Sequence, residues 1–148
     1  MKTESNLKTL TKKEAQEIID IFKKDLMNQQ ISEMEKSLIL KFKQKLKRNS
    51  LQCVVISKQK IIYCFGSKVE KYINDNISNN VKEFLNDKSL SYMRAGGFEI
   101  INDEFVRGAY SYRPIKYNEQ NIGAIIFIYK NNHSEEVLNV LSSFISAK

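Results

Sequence analysis

The residues here whose types could do chemistry are two cysteines, one histidine, three arginines in the second half and a lysine series in the first. His133 stands beside Ser134, Glu135 and Glu136, where a helix cap is expected. A nucleophile–histidine–acid arrangement needs partners that no neighbouring segment supplies, so His133 reads as a cap or surface residue. Cys53 and Cys64 fall in two short β-branched segments. If residues 57–60 are the loop of a hairpin, Ile56 faces Ile61 and Cys53 lies directly opposite Cys64. Such a pair packs as two small buried thiols, or forms a strained cross-strand disulfide able to act as a redox switch. A zinc site would need two further ligands. Arg107 and Arg113 are six apart, so in an unbulged strand they share a face. With Arg94 and Tyr63, Tyr72, Tyr110 and Tyr112 they could line a pocket for a small anionic or aromatic ligand, or form salt bridges on a solvated face. The pair Gly96-Gly97 lacks a phosphate-loop context and reads as a turn. No constellation points to catalysis, so the expectation is a binding or associating protein with no cofactor and no metal.

Net charge is +7 and uneven: residues 1–50 hold 12 Lys/Arg against 7 Asp/Glu, residues 51–148 hold 12 against 10. Lys41, Lys43, Lys45, Lys47 and Arg48 make a basic amphipathic segment with Phe42 and Leu46. Nucleic acid or an anionic membrane surface would suit it, as would a dimerisation helix with solvated lysines, which is preferred because its apolar stripe needs burial. No apolar run approaches the roughly 18 residues of a membrane span, and the polar opening MKTESNLKTLTKKEAQ lacks the apolar core of a secretory signal. A cytoplasmic location is expected.

The elements that must position these residues follow in order. Residues 1–10 read as a flexible tail. Thr11-Lys12-Lys13-Glu14 and Ser32-Glu33-Met34-Glu35 are capping boxes that open two helices, with Asn49 a C-terminal stop for the second. Strands follow at 51–56, 61–65, 98–101, a long one at 105–117, and 122–129. The last is apolar throughout and so central, with both faces covered. Short helical stripes lie between residues 66 and 85, and Val137, Val140, Leu141, Phe144 and Ile145 form the face of a closing helix. The fold class expected is α+β: a mainly antiparallel central sheet of about five strands, with N- and C-terminal helices on one face.

Cys53-Val54-Val55-Ile56, a four-residue turn and Ile61-Ile62-Tyr63-Cys64-Phe65-Gly66-Ser67-Lys68, followed by Tyr72 and Ile77-Ser78, resemble the opening of the GAF-like C-terminal domain of the stage V sporulation protein T family. Arg113-Pro114-Ile115 and Ile122-Gly123-Ala124-Ile125-Ile126 resemble a pattern widespread in GAF sensor domains. The resemblance implies a GAF-like domain at 34–148 preceded by a helical extension at 11–33. It implies a regulatory, non-enzymatic role in sporulation or transcriptional control, with a small-molecule ligand or a protein partner. Tyr63, Phe65, Tyr72, Arg107, Tyr112 and Arg113 are the ligand-binding candidates. A homodimer is expected through Leu38, Phe42, Leu46, Val140, Leu141 and Phe144. Residues 1–33 show no trace of the family's swapped-hairpin DNA-binding domain, so DNA binding does not carry over and nucleic acid is not favoured. A module for protein interaction alone, with no ligand pocket, is the alternative. Arg113 stands where the pattern has glycine, which would close the family's pocket or change its ligand.

Overall fold

A computed structural model of the chain describes residues 10–86, 92–94, 97–102, 104–130 and 135–146. Both expected capping boxes are formed. Helix α1 (Lys12–Leu26) begins at Thr11, whose hydroxyl accepts the Glu14 N–H while the Glu14 carboxylate accepts the Thr11 N–H; Ser32 and Glu35 do the same for α2 (Glu33–Arg48). Each helix ends two residues before a left-handed one, Asn28 (φ 58°) after α1 and Ser50 (φ 55°) after α2. The Gln29 N–H then returns to the Lys24 carbonyl and the Leu51 N–H to the Leu46 carbonyl, which satisfies carbonyls left open at the last turn.

Strand β1 (Gln52–Ser57) starts immediately after this cap and pairs with β2 (Ile61–Phe65). A short 3-10 helix (Glu70–Tyr72) and α3 (Asn79–Asn86) lead to β3 (Tyr92–Arg94). A hairpin of β4 (Gly97–Ile101) and β5 (Glu104–Arg107) precedes the long strands β6 (Ala109–Tyr117) and β7 (Gln120–Tyr129); α4 (Glu135–Ser146) closes the chain. The main sheet is antiparallel throughout, in the order β2-β1-β7-β6-β3. The α+β class and the central position of β7 are as expected.

The two faces of the sheet carry separate cores. Because side chains alternate along a strand, Cys53 and Val55 of β1 and Ile125 and Phe127 of β7 face the terminal helices, where Ile18, Phe22, Phe42, Leu46, Val140 and Phe144 meet them. Val54, Ile56, Ala124, Ile126 and Ile128 face the other way, onto Val69, Tyr72, Val81, Ile100 and Val106. On the helix side the contact is largely aromatic. The Phe42 ring lies 5.4 Å from Phe144, 5.6 Å from Phe65 and 6.2 Å from Phe22. Each such buried ring is worth about 1.5–3 kcal/mol of burial.

Three expectations are corrected here. The stretch 105–117 is two strands, because Gly108 (φ 134°) turns the chain at a point where a Cβ would stand 2.6 Å from the Tyr129 carbonyl oxygen. As a result 98–101 pairs with β5 in its own hairpin, and the fifth strand of the main sheet is β3, from a tract assigned no strand in sequence. Next, α1 is not an extension: Ala15, Ile18, Ile19 and Phe22 belong to the helix-side core, and the end of the expected tail is anchored, with the Leu10 N–H donating to Asn139 Oδ1 and its carbonyl accepting from Ser143. Finally, Phe42, Leu46, Val140, Leu141 and Phe144, expected at a subunit interface, are buried in this chain's own core, with Leu38 packed at its edge. Helices α1, α2 and α4 share one sheet face, while Met34, Leu40 and Leu138 stay exposed.

Candidate functional site

A groove of about 680 Å³ opens at one end of the sheet, where the end of α2, the start of β1, the ends of β2 and β7 and the β5–β6 junction come together. Its floor is apolar: Leu46, Leu51, Phe65 and Ile128 are buried there. The rim is cationic. Lys43 and Lys47 come from one face of α2, Lys68 from the loop after β2, Arg107 from the end of β5 and Lys130 from the end of β7, with Glu70 the carboxylate among the lining residues. Lys43 and Lys47 are spaced i, i+4, so one helical face presents both to the groove, and Ser50 joins them from just past the helix end.

Local chemistry holds this rim in shape. Gly66 takes φ 116°, and the place of its absent Cβ is filled by the Gln52 side-chain amide. Gln52 Oε1 accepts the Lys68 N–H at 2.9 Å, which ties the Gly66-Ser67-Lys68 loop to β1. The ion pairs among the described residues are Lys24–Glu35, Lys36–Glu33 and Lys45–Glu14, and none of them uses Lys43, Lys47, Lys68 or Arg107. Lys45, next to two of the rim lysines in sequence, points instead at Glu14 of α1 at 2.7 Å.

The ligand-binding candidates are not brought together. Phe65 and Arg107 reach the groove. Tyr63 lies on the helix side, stacked at 5.8 Å on Phe65 and 5.0 Å from Phe22, and hydrogen-bonds to Asp25. Burial, and then the Asp25 carboxylate, push its hydroxyl well above the ordinary range. Those two side chains also border a shallower cavity of about 420 Å³ with Gln29, Ile31, Lys36 and Ile39. Arg113 lies half-buried on the helix side, where desolvation lowers its pKa, so it does not stand across the opposite face. Tyr72 and Tyr112 are buried on that opposite face. The shared face expected for Arg107 and Arg113 is lost because Gly108 puts them in different sheets. The side chain of Arg94, the Gly96-Gly97 pair and His133 lie wholly or partly outside the described residues.

The cysteine register is corrected as well. Ile56 faces Ile61 as expected, but a bulge follows, so Cys53 pairs with Phe65 and Val54 with Cys64. Cys53 therefore enters the helix-side core and Cys64 packs against the other. Both thiols are free. Burial raises the pKa of Cys53 strongly and pushes Cys64 up to about 11, the nearby Asp75 adding to the latter. Among the described residues no group of three His, Cys, Asp or Glu side chains could hold a metal ion, and no helix is long and apolar enough to cross a membrane.

Lys43 and Lys47 stood out in sequence only as part of a basic helix, and Lys68 and Lys130 not as site residues at all. The basic density of α2 and the Gly-Ser-Lys after β2 were both visible, but their meeting at one sheet end depends on tertiary structure. No protein-family model matches the chain, and no curated protein matches it.

Proposed function

We propose that this chain is a non-enzymatic regulatory domain of GAF-like type that binds a small molecule in the sheet-end groove. A cytoplasmic role in sporulation or transcriptional control belongs to the same proposal, through the resemblance. The sheet supports the GAF-like reading: its first two strands lie beside its last two, terminal helices cover one face, and the 66–86 segment covers the other. The observation that carries the ligand is the groove itself. An apolar floor beneath a charged rim, at a volume within the range of small-molecule sites (roughly 300–1,000 Å³), is the composition that orients a ligand by its polar end and holds it by its body.

The test is a thermal-shift screen of metabolites against the wild-type chain and Ser67→Trp, which places a ring in the groove from an exposed loop position. A ligand stabilises the fold by mass action, so hits should raise the wild-type Tm and leave the variant unmoved. A screen in which no compound separates the two proteins would remove the proposal.

A second reading is favoured by one observation. The face opposite the helices, where an open cavity would suit a sensor, is filled among the described residues by Val69, Tyr72, Ile77, Val81 and Tyr112. A domain with that face closed would serve as a protein-interaction module, and a failed screen would point to it.

A further inference from the structure

We propose that the groove takes an amphipathic oxyanion of the phosphate class: a compact phosphate or diphosphate group among Lys43, Lys47, Lys68 and Arg107, with an apolar body on Leu51 and Phe65. This rests on the reading of the groove as a ligand site and names the chemistry of what fills it. All four cations are exposed, as solvated ones are, but a helix face alone does not account for their origin. Lys43 and Lys47 are on α2, Lys68 follows β2 and Arg107 ends β5, so their meeting around one cavity is a product of the fold. Lys45 of the same helix is neutralised by Glu14, whereas none of the four rim cations takes part in an ion pair among the described residues.

Like charges gathered around one groove repel, and because all four are exposed that repulsion is screened by salt over about 8 Å at physiological ionic strength. A multivalent anion removes that repulsion, and one singly charged carboxylate removes only part of it. The three lysines can act as compact point charges on a phosphate, and the arginine fork can grip one bidentately. The floor supplies the other half. Leu46, Leu51, Phe65 and Ile128 offer no hydrogen bonds to an inorganic ion, and the volume exceeds what one phosphate needs.

Fluorescence titration of the full chain with 4-methylumbelliferyl phosphate, with neutral 4-methylumbelliferone and inorganic phosphate as competitors, tests this. The ester should bind about ten-fold or more tightly than either fragment. Its binding should weaken with added salt and fall by about ten-fold or more in Lys47→Glu and in Lys68→Glu. Lys58→Glu, an exposed change in the β1–β2 turn, should leave it unchanged. Equal binding of ester and neutral umbelliferone, indifferent to the reversals but lost in Ser67→Trp, would overturn the phosphate class and keep the groove as a ligand site. Absence of binding by both probes, with no metabolite separating wild type from Ser67→Trp, would overturn both. Displacement of the ester by duplex DNA at lower concentration, with a steep salt dependence, would overturn it in favour of nucleic acid.

Discussion

Cys53 and Cys64 show how a single extra residue changes the chemistry a pair of side chains can do. The bulge after Ile56–Ile61 turns the two thiols to opposite faces of one sheet, and a disulfide cannot pass through the sheet between them. Mild oxidant should therefore yield no intramolecular Cys53–Cys64 crosslink by intact mass, and iodoacetamide at neutral pH should react slowly, at Cys64 before the fully buried Cys53. Recovery of the crosslinked species from folded protein would contradict the observed register. The same environments give a pH dependence. The folded pKa values of Cys64 and Tyr63 lie above their ordinary values of 9.0 and 10.0, so their contribution to stability is complete below those values and is lost as pH rises through the folded ones. The urea midpoint should fall from about pH 9 upward, and Cys64→Ala should flatten the fall between 9.0 and about 11. Glu14 has the opposite sign. Burial raises its pKa, but hydrogen bonds from Lys45 and the Thr11 N–H outweigh that and lower it overall. Its contribution is present above 4.5 and lost in acid, so the deficit of Glu14→Gln at pH 7, well under about 1 kcal/mol, should shrink by pH 3.

Helix α3 is held at its start by one buried side chain. Ser78 Oγ accepts the Val81 N–H at 3.1 Å as an N-cap and donates to the Glu99 carbonyl at 2.6 Å, while the Ser78 N–H bonds to the Ile100 carbonyl. Ser78→Ala leaves both partners short of a hydrogen bond and should cost about 1–2 kcal/mol in urea unfolding. A loss within error would mean that the cap is not formed in solution. The β6–β7 turn offers a change of the other sign. Asn118 (φ 50°) and Glu119 (φ 66°) are both left-handed between the paired Tyr117 and Gln120, as a two-residue hairpin of twisted strands requires. Glutamate is strained there, so Glu119→Gly should raise stability by about 0.5–1 kcal/mol despite the entropy glycine adds to the unfolded chain. Both capping boxes and the Asn49 stop were legible in sequence, because each is closed by residues within a few positions of one another. The Gly108 break and β3 were not. A glycine in a strand-like run marks a turn only when something approaches it, and here that is the Tyr129 carbonyl, from 21 positions later in the chain.

At the scale of the molecule, the terminal helices decide whether the chain needs a second copy. Their inward residues pack on the same sheet face, with Phe42 enclosed by rings from β2, β7, α1 and α4, while Met34, Leu40 and Leu138 stay exposed. Phe42→Ala should therefore cost about 3–5 kcal/mol, as a core truncation does, and by the same amount at every protein concentration. A stability loss that grows on dilution would instead reveal a subunit interface at this residue. The glycine of the central strand belongs to this scale too. A Cβ on Gly123 would press on the Ile56 carbonyl of β1 and stand 2.9 Å from Leu26 of α1, so the close approach it permits is to backbone and helix.

Sequence alone determined what depends on local period and local chemistry. The helices follow from their capping boxes and 3.6-residue stripes, the central strand from its unbroken apolar run, and the basic character of α2 from its lysines. Tertiary structure alone decided which faces meet. A one-residue bulge and one left-handed glycine reassigned the cysteines and parted Arg107 from Arg113, because a period of two turns any single shift into a change of face. The groove is the clearest case. Its four cations are separated by up to 64 positions in the chain and share no motif, and only the packing of the α2 terminus against the sheet end sets them around one cavity.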